Sequence, residues 1–122
     1  MNRQATTHIL VIRPGALGDV LVTLPALEAL QARYPQAAIE VMGNLAVLRL
    51  LLGRSVISAV SSFDRADLGA LFLHEAIASA ALLRYLDQFD IIVSYATPPS
   101  HVFAHNLARA ACGRVVSFDA QP

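Results

Sequence analysis

The stretch His8-Ile-Leu-Val-Ile-Arg-Pro-Gly-Ala-Leu-Gly-Asp19 decides the fold. Its first part, His8 to Arg13, is a nearly unbroken apolar run, as expected of a strand buried on both faces. The second part breaks into a glycine-containing turn and delivers a carboxylate to the start of the next helix. This arrangement puts Asp19 at the carboxyl end of a first parallel strand, the rim where open α/β sheets bind ligands.

Outward from this stretch the pattern alternates. A helix is expected within Asp19 to Tyr34, with Leu21, Leu24, Leu27 and Leu30 on one side and Pro35 as its stop. Pro25 leaves two readings open: a helix kinked at the proline, or a helix capped by Thr23 with Pro25 in its first turn. Ile39 to Met42 predicts a second strand, closed by Gly43-Asn44. Leu45 to Leu52 reads as a short buried helix stopped by Gly53, and Val56 to Val60 as a third strand. Asp67 is placed to cap a long helix from Leu68 to Gln88, whose packed stripe runs Phe72, Ala76, Ser79, Leu83, Leu86. Ile91 to Tyr95 predicts a fourth strand. Ser100 can cap a helix through Cys112 with Gly113 as its C-terminal glycine, and Val115 to Phe118 is a fifth strand. Strand and helix in alternation imply an α/β fold, a Rossmann-like doubly wound parallel sheet of about five strands with right-handed crossovers.

Composition removes several function classes. The net charge is zero and all nine basic residues are arginine, so neither a nucleic-acid footprint nor a polybasic membrane anchor is expected. Hydrophobic residues make up 56% and charged ones 15%, which excludes disorder and suggests that part of the surface is covered by a second domain or subunit. One cysteine, Cys112, allows no intrachain disulfide. It falls at a helix C-terminus, where the negative dipole end disfavours thiolate, so it is not read as a nucleophile. The apolar region Leu68 to Leu86 is interrupted by His74, Glu75 and Arg84, which argues against a membrane span.

Motifs narrow the field further. Gly15 and Gly18 form G-x-x-G rather than the dinucleotide fingerprint, and Met42-Gly43 stands where a ribose-binding carboxylate would end the second strand. Without a lysine there is no P-loop. His101 and His105, spaced i, i+4, could share a metal, but no third ligand is evident, and no metal is expected. Asp19 has two readings: a helix N-cap, or a general base positioned by the turn. Thr97, Ser100 and His101 are expected to open onto the same sheet edge and to contact substrate. The groups Asp64-Arg65-Ala-Asp67 and Arg84–Asp87 read as solvated surface.

The run Ile9-Leu-Val-Ile-Arg-Pro-Gly-Ala-Leu-Gly-Asp-Val-Leu-Val-Thr-Leu-Pro-Ala-Leu-Glu-Ala-Leu30 resembles the N-terminus of family 9 glycosyltransferases, the ADP-heptose:lipopolysaccharide heptosyltransferases and their relatives. The likeness continues through Arg33-Tyr-Pro35, Ile39-Glu-Val-Met-Gly43 and Phe89-Asp-Ile-Ile-Val93. It implies the N-terminal, acceptor-side half of a GT-B enzyme, spanning residues 1–122, with the donor-binding C-terminal domain lying outside the chain. In such an enzyme Asp19 would be the general base. Arg13, Gly15, Ala16, Leu17 and Gly18 would line the cleft near the transferred sugar. The implied reaction is inverting and metal-independent. It uses no cofactor and moves a sugar from a nucleotide-sugar such as ADP-heptose to a lipopolysaccharide or related cell-envelope glycan or glycolipid. The chain alone is expected to be inactive and to self-associate through its exposed domain-interface surface. A cytoplasmic location, peripheral to the inner face of the cytoplasmic membrane, fits this reading. The rival expectation is a non-catalytic Rossmann-like assembly domain in which Asp19 is only a cap.

Overall fold

The computed structural model describes residues 7–53, 55–64, 79–95, 101–111 and 113–117. Five strands, β1 (His8–Ile12), β2 (Ala38–Gly43), β3 (Ile57–Ser62), β4 (Ile91–Ser94) and β5 (Arg114–Ser117), alternate with helices α1 (Leu17–Arg33), α2 (Leu45–Leu48), α3 (Ala80–Leu86) and α4 (His101–Ala110). Every strand pairing is parallel and the sheet order is β3-β2-β1-β4-β5. The chain therefore winds outward from β1 in one direction, then returns and winds outward in the other. The reversal falls between β1 and β4, the topological switch point of a doubly wound sheet.

Alternation along β1 shows why this strand is central. Ile9 and Val11 face one layer with Val20 and Leu27 of α1 and Leu48 of α2. Leu10 and Ile12 face the other with Leu82 and Leu86 of α3 and Phe103 and Leu107 of α4. Successive side chains on a strand point to opposite faces, so an all-apolar strand needs helices on both sides. Each such fully buried side chain contributes about 1.5–3 kcal/mol. Polar groups inside the sheet are paired: the Tyr85 hydroxyl donates to the Glu40 carboxylate and lies 3.2 Å from Ser61 Oγ.

The structure corrects several local expectations. Helix α1 begins at Leu17, before Asp19, and runs through Pro25. Thr23 is no cap: it lies inside the helix, and its hydroxyl donates to the Asp19 carbonyl at 2.9 Å. Along α1 the buried residues are Val20, Thr23 and Leu27, whereas Leu21 is exposed.

Asp67 and residues 65–78 lie outside the described residues. The long helix expected from Leu68 to Gln88 does not pass unbroken through Ser79. That residue is extended, and its hydroxyl caps α3 by accepting from Leu82 N–H at 3.1 Å. With α3 starting after Ser79, the packed stripe is Leu82 and Leu86, and Leu83 is 40% exposed.

Helix α2 closes at Leu48, its one buried residue, rather than running to Leu52; Gly53, with φ +81°, ends the turns that follow instead of stopping a helix. Gly113 serves a different purpose from the left-handed cap expected of it. Its φ is not in that region, and a Cβ there would stand 2.5 Å from the carbonyl oxygens of both Phe89 and Asp90. The requirement at Gly113 is close backbone approach.

Candidate active site

The carboxyl ends of the strands form a continuous rim. Arg13 N–H donates to Met42 O at 2.8 Å, Tyr95 N–H to Ile12 O at 2.8 Å, and Phe63 N–H to Gly43 O at 3.0 Å. The parallel ladder thus extends one residue past β1, β3 and β4 and brings Arg13, Gly43, Phe63 and Tyr95 to one edge.

From that edge the turn Pro14-Gly15-Ala16 leads into α1. Gly15 has φ +122°, a backbone region that residues with a Cβ rarely adopt. A Cβ on it would also lie 2.5 Å from Asp19 Oδ2. Ala16 is the N-cap, which corrects the N-cap reading of Asp19: the aspartate is the third helical residue. From there its Oδ2 reaches back and accepts from Ala16 N–H at 3.0 Å. This is the returning half of a capping box, with a side chain at N3 satisfying the cap's own amide. Alanine has no side-chain acceptor, so the forward half is missing. The negative charge also sits favourably in the first turn of the helix.

Arg13 supports the same carboxylate. Its side chain is only 11% exposed, whereas that of Asp19 is 54% exposed, and Nη2 lies 3.7 Å from Asp19 Oδ1. Nε donates to Thr23 Oγ1 at 3.0 Å and to Asp19 O at 3.2 Å. The guanidinium also sits 5.5 Å from the centre of the Tyr95 ring. The arginine just past β1 and the tyrosine just past β4 therefore meet across the switch point. The cation is held by four contacts, while Asp19 Oδ1 remains at the surface beside it.

Ala16, Leu17 and Gly18 are exposed on the same turn. A Cβ at Gly18 would meet nothing within 4 Å, so that side of the rim is open. A cavity of about 480 Å³ lies next to the turn, bordered by Pro14, Gly15, Gly43, Asn44, Ser62, Phe63 and Asp64. Asp64 is exposed, as its sequence context implies, but its part in this cavity carries no local sequence signal. Only the β2–β3 pairing, which sets Ser62 beside Gly43, brings the end of β3 to the turn after β1.

Of the other expected contacts, Thr97 and Ser100 lie outside the described residues, as does the side chain of His101. His101 opens α4, and His105 on the same helix is exposed. Among the described residues no three potential metal ligands gather, and no helix is long and apolar enough to cross a membrane.

This fold has known counterparts. Over 91% of its length the chain superimposes on a glycosyl transferase family 9 structure from Veillonella parvula, with a TM-score of 0.63 and 17% identity. It also matches the Escherichia coli heptosyltransferase WaaC, solved with ADP, over 93% of its length, with a TM-score of 0.59 and 22% identity. The fold is shared with family 9 glycosyltransferases. The chain covers 32% and 36% of those two structures, about a third of each. No protein-family model and no curated protein sequence matches it. The likeness to family 9 thus lies in the Rossmann-like architecture, in which Asp19, in the first turn of α1, stands at the carboxyl rim.

Proposed function

We propose that this chain is the acceptor-side domain of an inverting, metal-independent glycosyltransferase of the GT-B type, heptosyltransferase-like in its chemistry. A second domain supplies the nucleotide-sugar site. The observation that carries the proposal is the Asp19 carboxylate, exposed at the carboxyl rim and held by Ala16 N–H and Arg13. Asp19 takes the proton from an acceptor hydroxyl. The oxygen then attacks the anomeric carbon of the sugar from the face opposite its nucleotide. A new C–O bond forms, the bond to the nucleoside diphosphate breaks, and the diphosphate leaves with its electron pair. The proton on Asp19 passes to solvent. The acceptor is a lipopolysaccharide or related envelope glycan, and the donor is a nucleotide-sugar such as ADP-heptose.

Removing a positioned general base typically costs about 10²–10⁴ in rate. In a full-length protein carrying this domain, Asp19→Asn keeps an oxygen able to accept from Ala16 N–H but no longer accepts a proton. Sugar transfer should fall by at least about a hundredfold with donor binding unchanged. Wild-type turnover by Asp19→Asn would remove the catalytic assignment.

The hydrogen bond from Ala16 N–H favours a second reading, a non-catalytic assembly domain in which Asp19 only secures the helix start. An apolar furrow of about 350 Å³ beside α1, lined by Ala26, Ala29, Leu30, Val93 and Val116 among others, suits such a role. Under that reading Asp19→Ala costs about 0.3–1 kcal/mol of stability, the worth of an acidic side chain in the first helical turn, and changes nothing else.

A further inference from the structure

We infer that the cavity beside the Asp19 turn is a subsite for an uncharged sugar ring, and that Asp64 gives it its preference against phosphorylated sugars. The inference deepens the transferase reading and rests on it only in calling that sugar the acceptor.

The cavity's volume, about 480 Å³, lies within the range of roughly 300–1,000 Å³ usual for small-molecule sites. Its floor has no side chains at two points. Gly43 is kept bare because a Cβ there would run into the Arg13 carbonyl oxygen. Gly15 is kept bare by its positive φ and by the Asp19 carboxylate. Above this floor stand Asn44, Ser62, Phe63 and Asp64. The turn bearing the last two is pinned, since Asp64 N–H donates to Ser62 Oγ at 3.0 Å and Phe63 N–H to Gly43 O at 3.0 Å. Asn44 Oδ1 accepts from Ala46 N–H at 3.0 Å, which orients an amide whose nitrogen can donate to a sugar oxygen.

The polar part of this lining suits a polyol, beside the apolar Pro14, Leu45 and Ala46. A carboxylate accepts from sugar hydroxyls, an amide donates to them, and Phe63, half-buried on the core beside Phe103, adds an apolar patch to the wall. Asp64 is the one charged residue among the described residues lining the cavity, and its sign opposes an anionic ligand. Gly15 borders both this cavity and the Asp19 carboxylate, so a ring seated here lies next to the proposed base.

The test is a ¹⁵N chemical-shift titration of the 122-residue chain with methyl α-mannopyranoside and with mannose 6-phosphate at matched ionic strength. The neutral glycoside should shift the amides of Gly15, Gly43, Ser62 and Phe63. The phosphosugar should bind at least about fivefold more weakly, with the difference shrinking as salt screens it. Asp64→Asn should bring the two affinities together. Several results would each overturn the inference: equal or tighter phosphosugar binding by the wild type, a salt-independent ratio, a ratio unchanged in Asp64→Asn, or no shift at these amides up to tens of millimolar. Such a failure alongside Asp19-dependent transfer by the full-length protein leaves the transferase reading standing. Intact discrimination with an inert full-length protein sinks that reading alone.

Discussion

A Cβ built on Gly15 would stand 2.5 Å from Oδ2 of Asp19, so the turn's glycine and the helix's carboxylate compete for one space. The carboxylate can fold back onto Ala16 N–H only because residue 15 lacks a side chain.

Gly15→Ala meets both the positive φ and this overlap. It should destabilise the chain by about 1–3 kcal/mol, measured by chemical denaturation. Gly18→Ala, whose methyl meets nothing, should be neutral or stabilising by up to about 1 kcal/mol through helix propensity. Under the transferase reading the same methyl narrows the rim, and kcat/KM in a full-length enzyme should fall at least about tenfold. A Gly18→Ala enzyme of full activity would remove Gly18 from the cleft.

The Arg13 side chain is committed to Thr23, Asp19 and Tyr95. Arg13→Ala should cost about 2 kcal/mol from lost charged hydrogen bonds and the ring contact. Lysine should not restore the loss, because an ammonium cannot reproduce the planar fork that serves Nε and Nη2 partners together. Since Thr23 shares the network, Arg13→Ala and Thr23→Val should be non-additive by at least about 0.5 kcal/mol. Strict additivity in a double-mutant denaturation cycle would contradict the arrangement.

Two glycines outside the site separate strain from crowding. Gly113→Ala places a methyl against two carbonyl oxygens and should cost at least about 1–3 kcal/mol. Gly53→Ala meets no atom within 4 Å but retains φ +81°, so it should cost only about 1–2 kcal/mol of backbone strain. Thermal melts of the two variants should rank Gly113→Ala as the less stable, and the reverse order would mean that the packing at β5 relaxes freely.

Much of this was legible in the chain. The run from His8 to Ile12 could only be a strand covered on both faces, and Gly15 marked the turn after it. Helix boundaries were less legible where two signals competed. Asp19 looked like a cap because aspartate is favoured there, but Ala16 took that position and the aspartate capped from N3. Ser79 reads as a packed residue inside a long helix, but its hydroxyl caps the start of α3. In both cases a short polar side chain can serve at either of two nearby positions, and neighbouring packing chooses between them.

Order along the chain and hydropathic alternation were enough to specify a parallel α/β sheet and to put a carboxylate at its rim. Those properties depend on local backbone preferences and on which faces must leave water. The meeting of Arg13 with Tyr95 across the switch point, and of Asp64 with the turn after β1, depended on lateral strand order. That order joins residues far apart in sequence through a ladder of backbone hydrogen bonds, which are chemically alike at every position and so leave no mark on the side chains they bring together.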